Sequence, residues 1–346
     1  MADALYVPVL KGKPAELTAL TLIQPATRSR VLPLVEFVPG PDPEDVKRTV
    51  DRTIKGLKKI SGFRLMLDTG LLDPSVDVAA GRNALGYAVE SARGVGIPAV
   101  PVVRLGDDER SIRAARDSDA TSGTGVAVRL SFEDLDDDPD VIATSITGLL
   151  DRLGLDRPDA DIVLDVGAVD SERAAARLVR DVIGELDAVD KWRTLIVTAG
   201  AFPADLSAVS PWEVGALPRR DALLWDHIRR RRTTRLPLFG DYAVAHPLLS
   251  TGTQFRAAPQ LRYTVSDRWL AIKGKVNDPR GHDQFYEICE MVTGHPEFAG
   301  AALGTADTRI ATPRARDPGN ATTWRALGTA HHLDLVVQRL TNLGEP

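Results

Sequence analysis

Residues 6–20 read YVPVLKGKPAELTAL. Tyr6 to Lys11 is a nearly unbroken apolar run of strand length, and Pro14, with its fixed φ and no N–H, suits the first turn of a helix. Only Gly12 and Lys13 separate the two. A strand that passes so directly into a helix is the first half of a βα unit. Similar runs follow: VLPLVEFVP, FRLMLDTG, IPAVPVVRLG, GVAVRLSF, DIVLDVGAVD, TLIVTAGAFP and LPLFGDYAV. Short, near-continuous runs of Val, Leu and Ile suit parallel strands covered on both faces. Between them lie helical patterns. Val46, Val50, Ile54 and Leu57 form one apolar stripe, Ile142, Ile146 and Leu150 a second, and Ala175, Leu178, Val182 and Leu186 a third.

One residue near each strand end, Lys11, Glu36, Asp68, Arg104, Arg129, Asp165, Thr198 and Asp241, recurs at intervals of 25 to 43 residues, against roughly 30 for a βαβ unit. Eight such units predict a TIM-like (β/α)8 barrel of the α/β class. The rival is an open doubly wound sheet, but no G-x-G-x-x-G follows the first strand. After Asp241 the pattern changes. QLRYTVSDRWLAIKGK alternates like a hairpin, GHDQFYEICEMVTG is helical, LGTADTRIATPRARDPGNATT is rich in Gly, Pro and Thr, and WRALGTAHHLDLVVQRL is a closing helix. The expectation is a single barrel domain over residues 1–346, with 250–322 as a hairpin and helix elaboration covering the C-terminal face.

Composition narrows the function classes. With 43 basic and 48 acidic side chains the chain carries a formal charge of −5, which argues against an extended footprint for duplex DNA. Cys289 is the single cysteine, so there is neither an internal disulfide nor a zinc-finger pattern. MADALYVPVL lacks a basic, then apolar, secretory pattern, and no apolar stretch is long enough to span a membrane. A cytoplasmic location is expected.

Seven of the eight strand-end residues are charged. Alternation along a strand places Lys11 with Val7 and Val9, Glu36 with Leu32 and Leu34, and Asp165 with Val163. If the apolar members fill the barrel, the charged ones form its top layer, at the mouth where this fold builds its sites. Lys11 and Lys13 also flank the N-terminus of a helix, where an anion would be favoured, and TAGA after the seventh strand offers small residues for its close approach. The candidate anion-binding set is Lys11, Lys13, Arg104, Arg129 and Lys273, with Trp324 and Arg325 from the closing helix. Glu36, Asp165 and Asp241 are candidate acid–base groups or Mg²⁺ ligands, since that ion prefers oxygen donors. His332 is the candidate proton shuttle. The competing reading of the charged layer is a structural plug of paired charges.

YVPVLKGKPAEL with Tyr6, Pro8, Lys11 and Glu16, PLVEF with Pro33 and Glu36, DYAV, LRYTVSDRWLAIKG, and GNATTWRALGTAHHLDLVV with Gly319, Asn320, Trp324, Arg325, His331 and His332 together resemble the beta-protein family, typified by a phage T4 protein. The resemblance runs nearly end to end. In the family's usual ending a Trp-Gly-Asp-like stretch precedes the Trp-Arg helix, and here LGTAD keeps Gly304 and Asp307 at altered spacing. The resemblance implies an accessory protein of phage-defence or mobile-element loci. Two functions are compatible with it. One is an enzyme of the barrel mouth acting on a phosphate-bearing substrate, by phosphodiester or nucleotide hydrolysis. The other is a non-catalytic recognition protein that binds a partner protein or phage component.

Overall fold

Eight parallel strands close into a barrel in the computed structural model, which describes residues 4–346 apart from 43, 61, 187, 232–234 and 250–256. β1 (Tyr6–Lys11) leads into α1 (Pro14–Leu22) and a short α2 (Pro25–Arg28), β2 (Leu34–Glu36) into α3 (Val46–Leu57), and β3 (Leu65–Asp68) into α4 (Ala84–Gly94). β4 (Ala99–Val103) precedes α5 (Glu109–Ser122), and β5 (Val126–Leu130) precedes a short α6 (Phe132–Leu135) and α7 (Pro139–Leu153). β6 (Ala160–Ala168) leads to α8 (Glu172–Glu185), and β7 (Thr194–Gly200) to a small strand β8 (Val214–Pro218) and α9 (Arg220–Arg229). β9 (Leu238–Asp241) pairs with both β7 and β1 and closes the ring. Side chains of Asp45, Asn83, Asp108, Ser131 and Asp138 accept helical N–H groups at the starts of α3 to α7, which explains why those helices begin where they do.

Strand alternation sorts the core into two layers. Val7, Val9, Leu34, Met66, Val100, Val102, Ala127, Val163 and Ile196 pack together as the barrel interior. The alternate residues, such as Tyr6, Leu10, Val35, Leu67 and Phe239, face the helices. The N-terminal end of the interior carries Asp161, gripped by Arg193 Nε and Nη2 at 2.8 and 2.6 Å.

β10 (Gln260–Thr264) and β11 (Arg268–Lys273) form the expected hairpin, and α10 (Gln284–Thr293), α11 (Thr305–Ala311) and α12 (Ala321–Leu343) follow. Three features depart from the sequence reading. β8 adds to β11 and makes the hairpin a three-stranded antiparallel sheet. VGALP is short and ends in proline, the composition of an edge strand, and gives little sign of one in the sequence. The Gly-, Pro- and Thr-rich stretch contains α11. Finally, α12, the closing helix expected to supply Trp324 and Arg325 to the mouth, packs against α1 and β10, and its Leu327, Ala330 and Leu333 join the core outside β1 and β9. It fills the place of the barrel's eighth helix. Residues 250–256, the start of the expected elaboration, lie outside the described residues. Among the described residues no helix is long and apolar enough to cross a membrane.

Candidate functional site

The register of β1, β2 and β3 sets Lys11, Glu36 and Asp68 side by side at the C-terminal end of the barrel. Arg129 rises from β5 into their midst and spends all five N–H groups. Nε and Nη2 donate to Asp165 Oδ2, Nη1 donates to Glu36 Oε1 at 2.9 Å and to Asp68 Oδ2, and Nη2 also donates to the Tyr242 hydroxyl at 2.7 Å. Arg104 reaches Asp68 Oδ2 at 2.7 Å across Gly70, where a Cβ would lie 1.4 Å from its guanidinium. Lys11 binds Glu36 and the Pro247 carbonyl, and lies over the Tyr242 ring. Thr198 and the Gly167 N–H donate to Asp165 Oδ1 at 2.9 and 3.1 Å. Lys11, Arg104 and Arg129 thus face Glu36, Asp68 and Asp165 in a neutral, interlocked layer.

Electrostatics follow that geometry. Burial alone would raise the Asp68 and Asp165 carboxyls, but Arg104 and Arg129 at Asp68, and Arg129 and Tyr242 at Asp165, hold both below their ordinary value. Burial and then Asp165 push the Tyr242 phenol well up, so it stays protonated. None of these groups is free to exchange a proton near neutrality. The expectation that Glu36 and Asp165 act as acid–base groups meets carboxylates locked in ion pairs. A Mg²⁺ site finds no donor set either: among the described residues no group of three or more His, Cys, Asp or Glu is placed to hold a metal ion. The TAGA segment seats protein, not phosphate, because a Cβ at Gly200 would lie 2.4 Å from Pro247 Cγ.

Asp241 and His332 do meet, at 2.8 Å, but not at the mouth. Asp241 has the parity of Phe239 and points outward from β9; the residue that turns inward is Tyr242. Asp241 accepts from the Tyr6 hydroxyl, from the Ala243 N–H at 2.8 Å and from His332 Nε2, with Arg219 at 3.5 Å. His332 Nδ1 faces the Thr264 hydroxyl at 2.8 Å. His332 is fully buried, and burial, with Arg219 and His331, lowers its pKa despite Asp241, so the ring stays neutral. Beside it, His331 bonds Asp307 and the Thr264 carbonyl. This network fastens α12 to the barrel wall and offers no shuttle to the mouth.

Above the layer is a third group that charge-counting along the strands missed. Arg262 of β10 and Arg325 of α12 both aim Nη1 at the Val244 carbonyl, at 2.5 and 3.4 Å. Arg262 also stacks on Phe202, 4.1 Å from the ring centroid. Neither arginine has a carboxylate within ion-pairing distance among the described residues. Arg325 therefore bridges neither Asp241 nor Glu36. Burial and the neighbouring Arg325 push Arg262 well down in pKa, and burial lowers Arg325 as well. His246, lowered by burial, Lys11 and Arg262, faces the same positive field. Of the other expected residues, Lys13 is exposed, Lys273 donates to the Leu206 carbonyl at 2.7 Å, and Trp324 is buried in the first turn of α12.

Glu16 completes the rim. Burial raises its carboxyl from the ordinary 4.5 to about 7, against the pull of Arg325, Lys11 and Lys13, and Oε2 has no hydrogen-bond partner. Since the folded state holds this proton more tightly than the unfolded chain does, stability falls as pH rises from about 4.5 to about 7, by an amount on the order of 3 kcal/mol. Glu16→Gln is expected to remove that slope in urea melts across the window. A wild-type profile that is flat there would contradict the assignment.

A family model described as Beta protein matches residues 6–338. Among solved structures, triosephosphate isomerase from Bartonella henselae is similar at a TM-score of 0.35, with 10% identity over 68% of this chain and 90% of that one. The carboxyl transferase domain of Rhizobium etli pyruvate carboxylase, solved with pyruvate, is similar at a TM-score of 0.41, with 12% identity over 98% of this chain and 48% of that one. Tryptophan synthase from M. tuberculosis gives 0.25 and 14%, over 69% of this chain and 81% of that one. No curated protein matches the chain.

Proposed function

The chain belongs to the beta-protein family, and from that premise we propose that it binds a small anionic ligand, phosphate- or carboxylate-bearing, at the rim of its barrel mouth. The observation that carries the reading is the Arg262–Arg325 pair, two largely buried guanidiniums converging on one carbonyl oxygen, with no carboxylate within ion-pairing distance among the described residues and only Glu16, whose own proton is held up to about pH 7, in their field. Buried charges are normally paired, and arginine's planar fork matches the oxygens of a phosphate or carboxylate. A bound anion would offset the burial that depresses both and the repulsion that Arg325 adds at Arg262. Lys11 and Lys13 add to the field, as the opening KGK anticipates. On this reading Glu36, Asp68 and Asp165 are framework beneath the ligand. The role in a phage-defence or mobile-element locus rests on the family resemblance alone.

The test is calorimetric titration of the full chain with inorganic phosphate and with a nucleoside monophosphate at low salt. Arg262→Gln and Arg325→Gln should each weaken binding by about tenfold or more, the scale of one charge-assisted hydrogen bond. Wild-type protein that binds neither probe, or variants that bind equally well, would remove the site.

One observation favours a hydrolytic version. Glu16 titrates near pH 7 within the field of Arg325, Lys11 and Lys13, the profile of a general base. On that version Glu16→Gln abolishes turnover of a phosphodiester but leaves phosphate binding intact. Binding without turnover in the wild type leaves the recognition reading alone.

A further inference from the structure

The seam between α8 and α9 is a cleft of about 290 Å³ lined by Arg173, Ala176, Arg177 and Arg180 of α8, with His227 and Arg231 from the end of α9. Arg173, Arg177 and Arg180 are spaced four and three residues apart, so they share one helix face. At 1.5 Å per residue their row is about 10 Å long. Arg231 faces it from the other wall. None of the four arginines has an ion-pair or side-chain hydrogen-bond partner among the described residues. Of the carboxylates beside the cleft, Glu172 is held by Arg220 at 2.8 Å and Asp226 by Arg229 and Arg230 at 3.0 and 2.7 Å, while Asp181, one turn on from Arg177, has no ion-pair partner among the described residues. Like charges three and four residues apart destabilise a helix by some tenths of a kcal/mol, and the single carboxylate of Asp181 offsets only part of this for three arginines, so a counter-anion would stabilise the row. The sequence reading took only the apolar stripe of α8 and passed over the opposite face.

We propose that this cleft binds the phosphodiester backbone of a single nucleic-acid strand without reading its bases. Every strong cation in it is arginine, the residue whose fork fits phosphate oxygens. No Phe, Tyr or Trp lines it, so it lacks the stacking platform that holds bases in place. The row is too short for a duplex footprint, in keeping with the overall charge of −5. Small Ala176 at the floor lets a backbone lie close to both helices.

Fluorescence anisotropy of a labelled oligo(dT) of about a dozen nucleotides with the full chain tests this. Three to four neutralised phosphates give a log–log salt dependence with a slope of about −2 to −3. Arg177→Glu with Arg180→Glu should cut affinity by about tenfold or more at about 50 mM salt and flatten the slope, because two phosphate contacts are lost. The same variant should keep its melting temperature and its phosphate binding at the rim. The Arg262→Gln and Arg325→Gln variants should keep oligonucleotide binding, which separates the two sites. No wild-type binding at that salt, or an unchanged slope in the double variant, overturns the proposal. So does equal competition by polyglutamate, which would make the cleft an acidic-peptide site.

Discussion

Arg129→Met is expected to destabilise the protein by about 3–5 kcal/mol at pH 7, because removing one member of a buried ion network leaves its partners uncompensated. Arg129 is 4% exposed and bonds Glu36, Asp68, Asp165 and the Tyr242 hydroxyl. Without it, three carboxylates face two cations, Lys11 and Arg104. Methionine fills much of the volume, so the loss is electrostatic. The pH dependence identifies the cause. In the wild type, Asp68 and Asp165 have depressed folded-state pKa values. Their contribution is present above the unfolded value of about 3.9 and is lost as pH falls through the folded one. In the variant, burial without the guanidinium reverses the shift, so acidification from pH 7 to about 5 should recover stability. Urea melts at the two pH values measure this. A variant within about 1 kcal/mol of wild type at pH 7 would mean that the layer carries little of the fold's stability.

The barrel was legible because each strand is a run of Val, Leu and Ile followed at regular intervals by a helical period, and that pattern is local. The charged layer was legible too: parity from Val9 to Lys11, or from Val163 to Asp165, is arithmetic along one strand. Asp241 shows where the arithmetic slipped. Its charge stands at the end of LFGD, but Phe239, two residues before, faces the helices. Gly240 and Tyr242 hold the inward positions, and a phenol proved to be the eighth contributor to the layer. The rim arginines come from a hairpin and a terminal helix, 63 positions apart in sequence, and no local period links them. The same holds for α8 and α9. α12 illustrates a further limit. Its helical character was plain, but which wall it covers depends on how the β10–β11 hairpin and the two helices that lie between it and β9 in sequence are packed. Six of the residues that carry the family resemblance fall into three groups once folded. Lys11 and Glu36 lie in the mouth layer, Tyr6 and His332 meet at Asp241, and Glu16 and Arg325 sit at the rim.

Trp324→Ala is expected to cost about 3–5 kcal/mol, as a large-to-small change in a packed core. The indole is buried, stacks on Phe285 of α10 with centroids 5.0 Å apart, and donates Nε1–H to the Pro318 carbonyl at 2.7 Å. Arg309 of α11 lies over its ring at 5.9 Å. Gly319, at φ 72°, makes the turn that brings Pro318 to the indole, and a Cβ there would sit 3.1 Å from Nε1. One side chain therefore ties α10 and α11 to the first turn of α12. Trp324→Phe keeps the stack and loses the hydrogen bond, so its cost should be smaller, about 1–2 kcal/mol from the unpaired carbonyl and lost volume. The next residue is Arg325, whose aim at Val244 depends on how that turn is held. Loosening the turn should weaken phosphate binding at the rim, while Arg129 and its carboxylates, on β2, β3, β5 and β6, stay in place. Urea melts and phosphate titrations on the two variants separate the effects. If Trp324→Ala lost less than about 1 kcal/mol, the indole would not be packed as described. If it lost stability but bound phosphate as wild type does, Arg325 would be held from β10 and the Val244 loop and not through the helix.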